Sequence, residues 1–181
     1  MSLRELGETY RGMVYRGHNP LWDDDPESGA GAARKGGRWN WVGLPALYTS
    51  ERFETAWLEA QQGLAMKTQP LTLCTYEVDC GPILDLCDPD IRNRVHPDPE
   101  AWRHEAWLSK SRLGMPVIGW EIAQKLMDEG IVGIRTPSQA RGATARDVNV
   151  VFWRWSRTPP TMVRVIDDEG CLKRRKAKHP P

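Results

Sequence analysis

Apolar residues recur along this chain in short bursts separated by turn-forming segments, the rhythm of a domain built from short strands and a few helices. Met13 to Arg16 predicts a first strand, and the stretch from Gly17 to Pro45 after it is turn-rich, with His18-Asn19-Pro20, three consecutive aspartates at 23 to 25, and Ser28-Gly29-Ala30-Gly31. A loop that long inside a compact domain is usually functional or disordered. Ala46-Leu47-Tyr48-Thr49 reads as a short buried strand. Ser50 is placed to cap a helix whose apolar residues Phe53, Ala56, Trp57, Ala60 and Leu64 fall at helical spacing, which commits Trp57 to the core. Leu71 to Val78 and Ile83 to Leu86 read as two further strands. Asp98-Pro99-Glu100 has the cap, the N1 proline and the first-turn acid of a second helix, and Ile118, Ile122 and Leu126 mark a third, closed by Gly130. Strands are expected again at Ile131 to Arg135, Asn149 to Trp153 and Met162 to Ile166. Strands outnumber helices without alternating strictly with them, so the predicted class is mixed α+β.

With 181 residues, 40% of them apolar and 27% charged, the chain is long enough for one domain with a substantial core. Charge then divides it: 25 Lys and Arg against 24 Asp and Glu give a net charge of +1, which excludes a nucleic-acid protein of generally basic character. That balance conceals a basic tail with Lys173, Arg174, Arg175, Lys176 and Lys178, so the expected organisation is one domain over 1–171 and a solvated tail over 172–181. Met1 to Tyr10 carry no charged start followed by an apolar run, and no stretch approaches the roughly 20 apolar residues of a membrane span, so a cytoplasmic protein is expected. Cys74, Cys80, Cys87 and Cys171 form no C-x-x-C pair, and no metal site is expected. Nine Trp against two Phe fit either a core that uses Trp for bulk or amphipathic niches, such as pocket walls and interfaces, where an indole offers both a face and an N–H donor.

Several familiar chemistries fail on spacing. Arg34 stands where the third glycine of a dinucleotide fingerprint would be needed, Gly37-Arg38 stand where a Walker loop needs Lys and Ser or Thr, and no G-x-S-x-G elbow is present. What remains is the cluster Lys35-Gly36-Gly37-Arg38-Trp39-Asn40-Trp41, followed by Gly43, Tyr48-Thr49-Ser50 and Glu59. Two glycines before an arginine let the backbone approach a ligand closely. The planar guanidinium of Arg38 suits a pyrophosphate, with Arg16 as a second fork. Trp39, Trp41 and Tyr48 can stack a flat heterocycle, and Glu59, about one turn from Thr55 and Ala56, can face a cleft. Each residue also has a plainer reading: Arg38 as a loop charge, Tyr48 as core, Glu59 as a solvated helix acid. Together they suit a dinucleotide.

At this cluster the sequence resembles the RES family, the toxin half of bacterial RES-Xre toxin-antitoxin pairs, named for family Arg, Glu and Ser residues. The likeness runs from Tyr15-Arg16 through Gly36-Gly37-Arg38-Trp39-Asn40, Gly43, Tyr48-Thr49-Ser50, Glu54-Thr55-Ala56 and Glu59 to Pro137-Ser138 and Asn149-Val150. It implies a fold like that of ADP-ribosyltransferases and diphtheria-type toxins, with a split central sheet flanked by helices, and NAD as substrate. By the same resemblance, Arg16 and Arg38 grip the pyrophosphate and ribose, Tyr48 stacks nicotinamide with Trp39 beside it, and Glu59 and Ser138 are the family glutamate and serine. Asn149 is then a late polar site residue. Some members carry an aromatic residue where this chain has Gly17, so that contact is either missing or supplied by another residue such as Trp22.

The resemblance implies that the nicotinamide–ribose bond of NAD is broken by hydrolysis or phosphorolysis, without a metal. Arg38, Glu59 and Ser138 would then be the catalytic residues, and Arg16, Arg38, Tyr48, Trp39 and Asn149 would bind the dinucleotide. It further implies a DNA-binding, Xre-like antitoxin that covers the cleft. Two alternatives stand beside this reading: transfer of ADP-ribose to a specific protein from the same site, and a nucleic-acid-binding module using the basic tail.

Overall fold

A computed structural model describes residues 2–62, 70–98 and 100–172. The basic residues of the expected tail, with Leu64 and Pro99, lie outside them. Six strands form one sheet: β1 (Glu8–His18), β2 (Leu47–Ser50), β3 (Thr72–Asp85), β4 (Gly133–Pro137), β5 (Val148–Phe152) and β6 (Thr161–Val165). Among the described residues five α-helices accompany them: α1 (Ala30–Lys35), α2 (Phe53–Gln61), α3 (Pro89–Val95), α4 (Trp107–Arg112) and α5 (Ile118–Asp128). The mixed α+β class, with helices flanking a central sheet, is the one expected.

The strand order is β1-β2-β5-β4-β3-β6, and β1 also pairs with β3 from Tyr10↔Cys80 to His18↔Thr72. The path β1-β2-β5-β4-β3 therefore returns to β1, with β6 on the other flank of β3. Only β3 and β4 run parallel, and α3, α4 and α5 fill the crossover between them. Alternation along the strands sends neighbouring residues to two cores. Tyr48, Leu84, Ile134 and Val151 pack with Ile122, Ala123 and Leu126 of α5, whereas Leu47, Val150 and Phe152 join Val14, Tyr76, Val78 and Val163 in a cluster made mainly of strand residues.

Four sequence expectations change. The strands expected at 71–78 and 83–86 are one strand, because β3 exchanges its flanking partner β6 for β4 around Gly81-Pro82 and the backbone continues through the changeover. The helix expected from Asp98 is instead a turn, in which the Asp98 carboxylate accepts from the amides of Glu100 and Ala101. The Asp-Pro-acid signature does its work ten residues earlier, where Asp88 caps α3 ahead of Pro89 and Asp90. Ser50 does not cap α2: the helix begins after Arg52, and the Ser50 hydroxyl goes to Asn149. Finally, Phe53 and Trp57 are 54% and 44% exposed, and α2 buries Thr55 and Ala56 instead, because the Thr55 hydroxyl bonds the buried Asp147 and turns that face inward.

Gly119 marks the tightest approach of α5 to the 36–39 loop. A Cβ there would stand 2.2 Å from the Arg38 carbonyl oxygen, a backbone atom that a rotamer change cannot remove. The Gly119→Ala protein is expected to lose about 1–3 kcal/mol from overpacking, seen in thermal unfolding as roughly 2–4 °C per kcal/mol.

Candidate active site

A cavity of about 410 Å³ opens on the face of the sheet that carries Tyr48, Val151 and Thr136, a size ordinary for a small-molecule site. Its walls come from the end of β1, the 36–39 loop, β2, α2 and the β4–β5 pair. Residues from position 16 to position 151, far apart in sequence, meet there.

Glu59 is the best-held polar group in the cavity wall. Its Oε1 accepts from the Ser138 hydroxyl at 2.5 Å and from the Asn149 side-chain amide, and its Oε2 accepts from Gln62. Asn149 is fixed in turn, its Oδ1 accepting from the Ser50 hydroxyl at 2.7 Å. A carboxylate only accepts, so Asn149 must present its NH₂ to Glu59 and its oxygen to Ser50. The sheet register makes this arrangement possible, since Ser50 and Asn149 are direct partners across β2 and β5.

The opposite wall is built around Tyr48. Its hydroxyl accepts from the Trp39 amide at 3.0 Å and donates to Asn40 Oδ1 at 2.7 Å, while its ring lines the cavity. Burial raises that hydroxyl well above the ordinary tyrosine range, so it stays protonated. The Asn40 amide group bonds the carbonyls of Ala32, Trp41 and Leu44, tying together the bend that carries Arg38. Gly37 is required there, because a Cβ would stand 2.4 Å from the Tyr48 hydroxyl. Arg38 lines the cavity while its Nη1 donates to the carbonyls of Trp102 at 2.6 Å and Glu105 at 3.4 Å. Burial lowers its pKa, against the pull of Glu105, Glu59 and Tyr48.

Arg16, Arg38, Tyr48, Glu59 and Asn149 thus share one cavity, with Ser138 bonded to Glu59. Arg16 reaches it from β1, its Nη1 held by the carbonyls of Pro26 at 2.8 Å and Ser28 at 3.2 Å. Trp39 touches the cavity, but the residue is 3% exposed and its ring packs on Trp102 at 5.0 Å, so the side chain belongs to the core. Trp22 stacks under Arg34 at 4.6 Å and does not line the cavity. At Gly17 the space an aromatic side chain would occupy is taken by Ala60 and Leu71, which come within 3.0 and 3.1 Å of a Cβ built there. Gln62, Trp107 and Thr136 also line the cavity and were missed in the sequence. Gln62 lies three residues after Glu59, a helical neighbour, and Thr136 is the cross-strand partner of Asn149, on the same face of the sheet.

The family model of the RES domain matches residues 13–174. The chain belongs to the RES family. Its fold is also that of a chain in the crystal structure of the M. tuberculosis MbcT-MbcA toxin-antitoxin complex, with a TM-score of 0.62 and 24% sequence identity over 91% of this chain and 87% of that one. No curated protein matches the chain. Glu59 and Ser138 are hydrogen-bonded to one another.

What keeps Glu59 and Ser138 together is Asp147. Ser138 and Asn149 flank a loop whose closing residue, Asp147, accepts from Thr55 Oγ1 at 2.5 Å and from both the amide and hydroxyl of Thr144, at 2.7 and 2.8 Å. The Ser138 amide bonds the Asp147 carbonyl at 2.7 Å. The loop is thereby pinned to α2, the helix that carries Glu59. The Thr55 and Thr144 bonds hold the Asp147 carboxyl below its ordinary range. A depressed carboxylate adds stability above the unfolded pKa of about 3.9 and loses it as pH falls through the lower folded value. Asp147→Asn is therefore expected to lower Tm near neutral pH and to flatten its fall on the acid side, a comparison made by thermal melts from about pH 7 down to about pH 3.

Proposed function

We infer that this RES domain consumes NAD by breaking the bond between nicotinamide and ribose, and that it is the toxin of a toxin–antitoxin pair. The observation that carries the reading is the Glu59 carboxylate, fixed by Ser138, Asn149 and Gln62 in the wall of a cavity that also presents Arg38 and the ring of Tyr48.

The chemistry needs little more. As the C1′–N1 bond breaks, its electron pair leaves with neutral nicotinamide and positive charge develops on the ribose. A fixed carboxylate beside the sugar stabilises that charge more in the transition state than in the ground state. Glu59 fills this role, and Ser138 and Asn149 act by holding it at one position and orientation. The Tyr48 ring takes the nicotinamide face, and its hydroxyl, spent on Trp39 and Asn40, keeps the ring plane fixed. Arg16 and Arg38 each tie one nitrogen to backbone carbonyls and turn their remaining N–H groups to the pyrophosphate. No metal enters these steps. The products would be ADP-ribose, or its phosphate ester where phosphate attacks.

A toxin that drains a central cofactor of the cytoplasm has to be silenced in its own cell, and the similar fold in the M. tuberculosis complex is that of a toxin-antitoxin assembly. An antitoxin covering the cavity, of the DNA-binding Xre type, is the corresponding partner here. Among the described residues no helix is long and apolar enough to cross a membrane.

Purified protein incubated with NAD should release nicotinamide. Glu59→Gln keeps an oxygen to accept from Ser138 and Asn149 but removes the charge, so release should fall by about 10²–10³-fold while Tm stays within a few degrees. Expression of the Arg38→Ala or Glu59→Ala protein should no longer arrest growth. NAD left intact by the parent protein, or full turnover in the Glu59→Gln protein, would overturn the reading; an ADP-ribose adduct on a host protein would redirect it to transfer.

A further inference from the structure

Among the described residues four charged side chains line the cavity, Arg16, Lys35 and Arg38 against Glu59. Three of them are held. Each arginine donates to loop carbonyls through one nitrogen, and Glu59 accepts from Ser138, Asn149 and Gln62. Lys35 is exposed and has no ion pair or hydrogen bond among the described residues. A lysine in the last turn of a helix is favoured by the terminal carbonyls, but that role needs no cavity. Arg34 stands in the same turn of α1, over the Trp22 ring and outside the cavity lining.

The helix that carries Lys35 leaves space beside it. Gly31 and Lys35 are four residues apart and so share one face of α1, and with Ala32 they line the cavity. A Cβ built on Gly31 would meet nothing within 4 Å. The cavity side of α1 is thus a shelf of two small residues with room above it and an unpaired ammonium at its end.

Resting on the NAD-cleaving reading, we propose that this shelf receives the adenosine ribose and that Lys35 pairs with a phosphate on its 2′ oxygen, so that the domain cleaves NADP as well as NAD. Charge carries the argument. In NAD the two pyrophosphate charges meet Arg16 and Arg38, and the positive charge that passes from nicotinamide to ribose meets Glu59. Lys35 is then unmatched, and NADP supplies one more anionic group. In dinucleotide sites a carboxylate on the adenosine ribose hydroxyls goes with NAD and a cation there with the 2′-phosphate; apart from Glu59 the described lining has no carboxylate. Position agrees with charge. The nicotinamide ribose is committed to Glu59, and Lys35, exposed while lining the cavity, stands at its rim, where the outer end of a dinucleotide emerges. The bond broken is the same in both substrates: C1′–N1 opens with its pair leaving on nicotinamide, and C1′ bonds an oxygen of water or phosphate. With water one proton goes to solvent, and the 2′-phosphate stays on the ADP-ribose product.

The test measures nicotinamide release from NADP and from NAD by the parent, Lys35→Met and Lys35→Arg proteins, each with and without inorganic phosphate. The parent is expected to cleave NADP with a KM no higher than that for NAD. Lys35→Met keeps an unbranched side chain of good helix preference and should melt with the parent. Its KM for NADP should rise about tenfold while its KM for NAD stays within about twofold. Lys35→Arg should keep the parent's preference, and added salt should narrow the difference between the substrates, because the pair is exposed. NADP left intact by a parent that cleaves NAD overturns the proposal, and so does a Met protein that loses equally on both substrates or on neither. A Met protein that loses only a response to inorganic phosphate overturns it too, since the amine then serves an attacking phosphate. Absence of nicotinamide release from either dinucleotide is a different result, and it defeats the NAD reading on which the proposal rests.

Discussion

A stretch of nearly thirty residues between β1 and β2 forms one wall of the cavity with only one short α-helix of its own, and those of its backbone carbonyls that local turns do not satisfy must find partners elsewhere. They find side chains. Trp155 Nε1 donates to Glu27, Trp120 Nε1 to Gly37 and Trp153 Nε1 to Trp39, at 2.9, 2.7 and 2.8 Å. Tyr76 and Arg16 both donate to Pro26, and Asn40 closes three further carbonyls from within. The tryptophan surplus has its physical reason here: a phenylalanine can fill the same volume but has no N–H with which to hold an irregular backbone. The Arg38 guanidinium that this wall offers to a ligand depends on those anchors, and the Tyr48 hydroxyl is held by the Trp39 amide and Asn40 of the same stretch.

The reacting side of the cavity rests on different supports. Glu59 comes from α2, Ser138 from the residue after β4 and Asn149 from β5, and the pairings Ser50↔Asn149 and Thr136↔Asn149 set their spacing through the sheet. A register slip of one residue would send Asn149 to the opposite core. The Asp147 pin then joins the strand pair to the helix. Two acids therefore divide the work: Asp147 spends its oxygens on the protein, and Glu59, held by Ser138, Asn149 and Gln62, lines the cavity.

Much of this was legible in the sequence, and the rest was hidden for identifiable reasons. Strand cores such as Leu47, Val150 and Val151 announce themselves as apolar bursts, and the Gly36-Gly37-Arg38 bend points to close approach because few other residues could occupy it. Glu59 on a helix flank was visible from spacing alone. The exposure of Trp57 was not, since an apolar stripe at helical spacing assumes that hydrophobicity chooses the buried face. In α2 the hydrogen bonds of Thr55 and Glu59 choose it. Asp98-Pro99-Glu100 has the same local chemistry as Asp88-Pro89-Asp90, and the choice between a turn and a helix is made by the residues downstream of each and by the segments packed against them. Thr136 carries no signal of its own: only its register against Asn149 makes it a site residue.

The division between the two walls also explains how one small domain can keep a stiff reaction centre beside an irregular loop. Strand-borne groups hold their spacing because each ladder bond constrains two segments at once, and a carboxylate held by several donors has little freedom left to reorganise as charge develops opposite it. Loop-borne groups hold theirs only as long as each carbonyl keeps its indole, phenol or guanidinium donor. Arg38 belongs to both systems: its side chain fastens to Trp102 and Glu105, and its own carbonyl lies so close to Gly119 that α5 and the loop leave no room for a methyl group between them. The residue that presents charge to the cavity is thus also the one that locks the crossover helices onto its wall. Binding and folding are coupled most tightly there, whereas at Glu59 the hydrogen bonds can survive the loss of the charge.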